Sequence, residues 1–199
     1  MIKVFVFDVG GVITKDPMAH IYKAVDREFK TSTEDIEKAY DKLKSPVETD
    51  KISAKEFWAR LSKELGIKDT NLLKKTWMNS FVKATAPVDK SVVKIIKEIK
   101  NEGYRVAALS NTIRAHERLH RKLGHYKFFE PVFLSCRLGM RKPNIGIYKH
   151  AVKRLKVKAG ECVFIDDKSE NVASARKAGM NAVLFKNAIQ LKKELKRYL

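Results

Sequence analysis

The stretch Phe7-Asp8-Val9-Gly10-Gly11-Val12-Ile13-Thr14, which reads FDVGGVIT, follows the apolar run Val4-Phe5-Val6 near the start of the chain. An apolar run of this length predicts a buried strand, and the strand ends on the carboxylate of Asp8. A single aspartate at a strand end is more often a turn or helix cap than a reactive group. The role of Asp8 therefore depends on which other residues the fold brings beside it.

Five apolar runs of strand length recur along the chain, and helical patterns separate them. Most of the runs are continuous rather than alternating, which is typical of a parallel sheet covered by helices on both faces. The predicted strands are Ile2–Phe7, Tyr104–Leu109, Val132–Leu134, Cys162–Ile165 and Ala182–Phe185, and the predicted helices lie near 88–101, 113–123, 145–156, 169–178 and 187–198. This order predicts an α/β protein with a doubly wound, Rossmann-like parallel sheet.

Residues 15–86 interrupt the alternation because they contain no convincing strand. They predict four helices near 17–30, 33–44, 53–65 and 70–84, with a turn-rich break between Lys44 and Asp50 that contains Pro46. We therefore expect a core domain made of residues 1–14 and 87–199. We expect residues 15–86 to form a small four-helix cap over the carboxyl edge of the sheet, where such folds bind ligands.

Composition narrows the class of protein. The chain has 199 residues, 44% of them hydrophobic, and its two cysteines lack the spacing of a zinc site or a disulfide framework. The N-terminal sequence lacks the apolar stretch of a signal peptide, and no run is long enough to span a membrane, so we expect a cytoplasmic protein. The net charge of +19 is interpreted mainly as a solvated basic surface, with binding to nucleic acid or another polyanion as the less favoured reading. The sequence does not indicate an oligomeric state.

Polar residues that suit phosphate chemistry follow several of the predicted strands. Ser110-Asn111 follows the second strand, Asp166-Asp167 follows the fourth, and Lys142 lies in the loop before the helix near 145–156. The carboxyl ends of parallel strands meet at one edge of a sheet, so we expect these residues to converge with Asp8. Each residue alone has an ordinary structural explanation, but their joint placement favours a site.

In their order and spacing, the segments FDVGGV, LSNT, GMRKPNIGIY and FIDDKSENVASARKAG resemble the four motifs of the haloacid dehalogenase (HAD) superfamily of hydrolases. The resemblance covers nearly the whole chain. It is strongest to the capped subgroup that contains sugar-phosphate phosphatases and the N-terminal phosphatase domain of epoxide hydrolases. It implies a phosphatase of small phosphorylated metabolites, and it agrees with the needs of phosphoryl transfer for a nucleophile, neutralisation of phosphate charge and a divalent cation.

The resemblance also implies a role for each site residue. Asp8 would be the nucleophile that forms an aspartyl phosphate, and Lys142 would offset the charge on Asp8 and on the phosphate. Ser110 and Asn111, together with Lys142, would bind the phosphate. Two adjacent carboxylates beside Asp8 favour a hard cation, and Mg²⁺ fits best. Its expected ligands are Asp8, the backbone carbonyl of Gly10, Asp166 and Asp167.

Gly10 departs from the family pattern, in which most phosphatases have a second aspartate as general acid and base at this position. Three interpretations remain: a phosphatase that manages without this carboxylate, a dehalogenase-like hydrolase, or a catalytically weakened protein that binds RNA or another polyanion. We favour the phosphatase, because an anionic haloacid would be repelled by the Asp166-Asp167 pair. His116 or His120 as a replacement proton relay is a further hypothesis, less favoured than an ordinary surface or core position.

Overall fold

The computed structural model describes residues 1–199 and contains one five-stranded parallel sheet. The strand order across the sheet is β3-β2-β1-β4-β5. In chain order the strands are β1 Val4–Phe7, β2 Arg105–Ser110, β3 Val132–Leu134, β4 Cys162–Asp166 and β5 Asn181–Leu184. Each predicted strand is present within two residues of its predicted bounds, and the α/β fold class is confirmed.

Helices cover both faces of this sheet. The side chains of β1 point alternately to the two faces, and two separate apolar clusters pack there, one containing Phe5 and Phe7 and the other Val4 and Val6. In chain order the α-helices are α1 Met18–Phe29, α2 Thr33–Glu48, α3 Ala54–Glu64, α4 Thr70–Thr85, α5 Lys90–Asn101, α6 Arg114–Lys122, α7 Ser135–Leu138, α8 Ile145–Leu155, α9 Ser169–Lys177 and α10 Ala188–Leu195. None of these helices combines the length and the apolar character that crossing a bilayer requires.

The first four helices pack on one another around an apolar cluster of their own. Its aromatic members include Tyr40, Phe57, Trp58 and Trp77, whose rings are 4.8–6.3 Å apart between centroids. The chain enters and leaves this helical segment at one place, because Thr14 and Val88 form an antiparallel bridge there. Asp89 N also donates to Ile13 O at 2.8 Å, so the two connections are tied side by side.

The turn predicted between Lys44 and Asp50 is wrong. Helix α2 continues through Pro46 to Glu48, and the turn begins at Thr49. Proline removes one backbone donor, but two buried residues beyond it hold the last helical turn in place. Val47 packs in the apolar cluster, and Glu48 accepts hydrogen bonds from Tyr40 Oη at 3.3 Å and from Arg141 Nε at 2.7 Å. Tertiary contacts therefore outweigh the local cost of proline.

Candidate active site

The sheet order explains why the predicted site residues meet. Strand β1 lies between β2 and β4, so Asp8, Ser110 and Asp166 follow or end three neighbouring parallel strands. Lys142 reaches them from the segment between α7 and α8. Its ammonium nitrogen Nζ lies 2.9 Å from Asp8 Oδ1 and 2.6 Å from Asp166 Oδ2. The structure thus places one buried cation between two carboxylates.

Asn111 holds the backbone of Lys142 in place. Its side-chain amide donates to Lys142 O at 2.9 Å, and its side-chain carbonyl accepts from Lys142 N at 2.8 Å. This pair of bonds engages both ends of the Asn111 side chain. The backbone N–H of Asn111 and that of Gly10 donate no hydrogen bond within the chain, so they remain available to an anion.

The two carboxylates of the acidic pair have different surroundings. Asp166 is fully buried and accepts hydrogen bonds from Lys142 Nζ, from the backbone N–H of Lys168 at 2.8 Å and from Asn171 Nδ2 at 2.9 Å. Asp167 is less buried, yet its Oδ1 is sealed from solvent and has no hydrogen-bond partner. A buried carboxylate oxygen without a donor is costly unless a cation or another donor approaches it.

This arrangement fits a hard divalent cation. One carboxylate oxygen from each of Asp8, Asp166 and Asp167 lies within 4.8 Å of the other two. The carbonyl of Gly10 accepts no hydrogen bond from the chain, so this oxygen, two residues after Asp8, is free to accept a ligand. Carboxylate and carbonyl oxygens are the ligands that Mg²⁺ prefers, and the partnerless Asp167 Oδ1 is the atom most in need of one.

The two glycines of FDVGGVIT differ in whether their surroundings leave room for a side chain. Gly11 has a φ of +84°, and a Cβ atom on it would overlap the carboxylate of Asp167. Gly11 therefore allows Asp167 to approach the backbone of this loop. Gly10 has no such constraint, because a Cβ atom there would meet nothing within 4 Å. Space for a side chain is thus present at the position where the family pattern has its second aspartate.

Burial and neighbouring charges shift the pKa values of the ionisable side chains in the site. Burial raises the pKa of Asp8 to about 7, against the opposing effect of the Lys142 ammonium and with a further contribution from Asp166. Burial also works against the charged form of Lys142, but Asp8 and Asp166 outweigh it and raise the pKa of Lys142. Burial and the neighbouring Asp166 raise the pKa of Asp167. The Lys142 side chain therefore stays charged, whereas Asp8 and Asp167 keep their protons to a higher pH than free aspartates do.

A cavity of about 520 Å³ opens over the site. Asp8, Gly10, Ser110, Asn111 and Lys142 line it, whereas Asp166 and Asp167 lie outside its lining. Helices α1, α2 and α4 supply the opposite wall, which includes Tyr22, Tyr40, Glu48 and Phe81. The hydroxyl of Ser110 makes only one long contact, 3.4 Å to Asn111 O, so it can turn toward a ligand.

Several residues that line this cavity are not among those that the sequence favours as site residues. For His116 and His120 of the charge-rich helix α6 the sequence favours an ordinary surface or core position, yet both are buried and line the cavity wall. Arg141 also lines it and is held by Glu48. The histidine spacing of four residues, one helical turn, was the available signal, but only the packing of α4 on α6 shows that this face is covered.

A family model described as a haloacid dehalogenase-like hydrolase matches residues 2–179. Among curated proteins, the chain is similar to the sesquiterpene phosphatase astK of Aspergillus oryzae, at 27% identity over 89% of this chain and 87% of that protein. It is also similar to the glyceraldehyde 3-phosphate phosphatase of Methanothermobacter thermautotrophicus, at 39% identity over 44% of this chain and 39% of that protein.

Solved structures of HAD family proteins superpose on nearly the whole chain. A predicted HAD-like family hydrolase from Porphyromonas gingivalis superposes with a TM-score of 0.78 at 27% identity, covering 99% of this chain and 98% of that one. A HAD family enzyme from Bacteroides thetaiotaomicron, solved with magnesium and inorganic phosphate, superposes with a TM-score of 0.72 at 21% identity, covering 94% and 95%. The family model, the curated relatives and the shared fold agree with the four motifs at the sheet edge, and the chain belongs to the haloacid dehalogenase-like hydrolases.

Proposed function

We propose that this protein is a Mg²⁺-dependent phosphatase that hydrolyses a small phosphorylated metabolite through an aspartyl phosphate on Asp8. The observation that carries the proposal is the buried contact of Lys142 with both Asp8 and Asp166 beside an unpartnered oxygen of Asp167. One cation among three carboxylates leaves a negative excess that a divalent ion would balance. The phosphatase activities of the two curated relatives support the same class of reaction.

The contacts of Asp8 indicate how it would act. Its Oδ1 accepts from the backbone N–H of Val9 at 2.7 Å and lies 2.9 Å from Lys142 Nζ. Its Oδ2 makes no hydrogen bond and is the free oxygen of this carboxylate. In the proposed reaction this oxygen forms a bond to phosphorus while the bond from phosphorus to the leaving oxygen breaks, and the leaving oxygen takes a proton from water to become the alcohol. Water then attacks the aspartyl phosphate, which releases inorganic phosphate and regenerates the Asp8 carboxylate.

Other groups of the chain would hold the phosphate during these steps. The Ser110 hydroxyl and the backbone N–H groups of Gly10 and Asn111 are donors without strong partners in the protein. Lys142 adds a fixed positive charge, and Asn111 keeps its backbone in position. Because these donors are held before the ligand arrives, they stabilise the charge of the transition state without reorganising.

Asp8, Asp167 and the Gly10 carbonyl would hold the cation, with Asp166 beside them. Both oxygens of Asp166 already accept hydrogen bonds from the chain, so its main task would be to position Lys142. When bound, Mg²⁺ would offset the negative charge of the phosphate and of these carboxylates.

A dehalogenase-like reaction is the less favoured alternative. Its substrate would carry a carboxylate into a site that already has Asp8, Asp166 and Asp167 and a single buried ammonium. A dehalogenase reaction would use no divalent cation to offset this charge, so the repulsion would disfavour the ionised form of Asp8 that acts as the nucleophile.

The decisive experiment measures hydrolysis of p-nitrophenyl phosphate with Mg²⁺ and with EDTA, for the wild type, Asp8→Asn and Glu28→Gln. Asp8→Asn keeps the shape of the nucleophile and should lower kcat by about a thousandfold or more, as loss of a nucleophile does in other covalent enzymes. Glu28→Gln removes an exposed carboxylate on α1 that makes no ion pair and serves as the matched control. Turnover that persists in Asp8→Asn, or that EDTA does not lower, would refute the proposal.

A further inference from the structure

Two buried histidines on α6 take no part in the mechanism above. His116 and His120 lie one helical turn apart, with 6% and 5% of their surface exposed, and both line the cavity that contains Asp8. A third histidine, His125, lies directly behind His120. The hydrogen-bond partners of these rings show which of their nitrogens carries a proton.

Trp77 fixes the tautomer of His116. The indole nitrogen Nε1 of Trp77 lies 3.1 Å from His116 Nε2. Because an indole N–H can only donate, Nε2 must be the acceptor, and the single proton of the neutral ring is carried by Nδ1. Phe81 stacks on the other side, with ring centroids 3.9 Å apart and an angle of 13° between the ring planes. Burial and the neighbouring His120 lower the pKa of His116 to about 3, which agrees with a permanently neutral ring.

The protonated nitrogen of His116 is left without a partner in a residue that lines the cavity. Nδ1 has no hydrogen-bond partner in the protein, and it is not one of the polar atoms sealed from solvent. The few sealed atoms without partners include His125 Nε2 but no nitrogen of His116 or His120. An N–H donor without an internal partner at a cavity wall is available to a ligand.

His120 extends this uncharged surface. Its Nδ1 faces His125 Nδ1 at 2.6 Å, so the two rings share one proton there, and Nε2 is the nitrogen of His120 that has no partner in the protein. Burial and the neighbouring His125 lower the pKa of His120 to about 3. The wall therefore presents two neutral imidazoles about 6 Å apart along the helix axis.

The histidines have different neighbours from the phosphate-binding groups. Asp8, Ser110 and Lys142 gather at the strand ends, whereas His116 and His120 pack against Phe81 of α4, and His116 also contacts Trp77, in the wall of the same cavity. A phosphate held by Lys142 would leave the rest of the substrate facing the histidines.

We propose that His116, with its tautomer fixed by Trp77, donates its Nδ1–H to an uncharged oxygen of the leaving alcohol and thereby selects hydroxylated phosphate esters of the polyol or sugar class. This inference rests on the proposed phosphatase function. An apolar leaving group would leave the N–H without an acceptor once water is excluded, and a site built to hydrogen-bond an oxygen discriminates against analogues that lack it. Trp77 acts as a positioning residue.

Matched pairs of substrates test the selection. Glucose 6-phosphate is compared with cyclohexylmethyl phosphate, and glycerol 3-phosphate with propyl phosphate, so that each pair differs mainly in its hydroxyl groups. The wild type should have a higher kcat/KM for the hydroxylated member of at least one pair. No preference in either pair, or a preference for the hydrocarbon esters, would overturn the proposal. If no ester at all were hydrolysed, the proposed phosphatase function itself would fail.

Two substitutions of His116 separate its two nitrogens. His116→Gln can still accept from Trp77 but loses the donor at the Nδ1 position, whereas His116→Asn keeps an amide near Nδ1 and loses the acceptor for Trp77. Both lose the stacked ring. His116→Gln should lower the ratio of kcat/KM within the preferred pair by about tenfold, the effect of one lost hydrogen bond. His116→Asn should retain more of that ratio. Equal losses in both variants, or a parallel fall for both substrates, would overturn the recognition role.

A measurement without substrate tests the tautomer directly. The ¹⁵N chemical shifts of His116 in the free protein should show the proton on Nδ1, unchanged between pH 7 and pH 5. Trp77→Phe removes the donor and keeps an aromatic ring, so it should allow the Nε2–H form to appear. A proton on Nε2 in the wild type, or an unchanged spectrum in Trp77→Phe, would contradict the inference even if the phosphatase activity is confirmed.

Discussion

The carboxylate of Asp167 occupies the space that a side chain on Gly11 would need. Gly11→Ala must displace either Asp167 or the loop, and the φ of +84° adds strain. We expect the concentration of Mg²⁺ required for half-maximal activity to rise by about tenfold or more, as it does when the supports of a metal ligand are disturbed. Gly160→Ala, at a glycine with free space and an ordinary φ, is the matched control. An unchanged Mg²⁺ requirement in Gly11→Ala would contradict a cation site formed by Asp167 and this loop.

Gly10→Asp should improve turnover. The position lines the cavity and has room for a Cβ atom, so the new carboxylate can reach the ligand without displacing the chain. General acid–base assistance contributes about 10²–10⁴-fold, and poor leaving groups need it most. We expect kcat to rise more for an alkyl phosphate than for p-nitrophenyl phosphate. Gly10→Asn, which has the same shape and no acid, should give no such difference; equal gains in the two variants would exclude proton transfer as the cause.

Lys142→Met should cost stability as well as activity. It leaves the buried carboxylates of Asp8 and Asp166 without their cation, and removing one partner of a buried ion pair costs about 3–5 kcal/mol. The free energy of unfolding is measured by urea denaturation in EDTA. Lys168→Met, which removes a half-exposed ammonium 3.8 Å from Asp16, should cost less than about 1 kcal/mol. Adding Asp166→Asn to Lys142→Met should recover part of the loss, and failure to do so would contradict this account.

The buried neutral histidines should make the protein less stable in acid. The pKa of His116 is lowered from 6.5 to about 3 in the folded chain, so between these values the unfolded chain binds one more proton than the folded one. This residue therefore stabilises the fold fully above pH 6.5 and loses about 1.4 kcal/mol per pH unit as the pH falls toward 3. The difference in unfolding free energy between wild type and His116→Gln should shrink from pH 7 to pH 4. A constant difference would mean that the pKa of His116 is the same in the folded and the unfolded chain.

The fold and the placement of the site could be predicted because both depend on local patterns. Continuous apolar runs with glycine or polar residues at their ends located each strand, and Val132–Leu134 was predicted with its observed bounds. Parallel topology then requires the strand ends to meet. Four-residue α7 lay below the length at which a periodic pattern can be recognised, so it was not predicted.

The remaining features depend on contacts between distant parts of the chain. The helix Arg114–Lys122 has a strongly polar sequence, and nothing in it reveals that α4 covers His116 and His120. The sequence placed Asp166 and Asp167 together as equal candidates. Only the positions of Lys142 and Asn171 show that Asp166 is fully hydrogen-bonded while Asp167 keeps a free oxygen.

The bridge between Thr14 and Val88 bears on how this enzyme can change over evolution. Both connections of the helical segment pass through one pair of residues, whose Cα atoms in such a pairing are about 5 Å apart. A segment whose ends lie this close is topologically a single loop, and insertions at such points are well tolerated. Recombination could therefore exchange the whole helical segment in one event while the strands next to Asp8 and Asp166 keep their pairing.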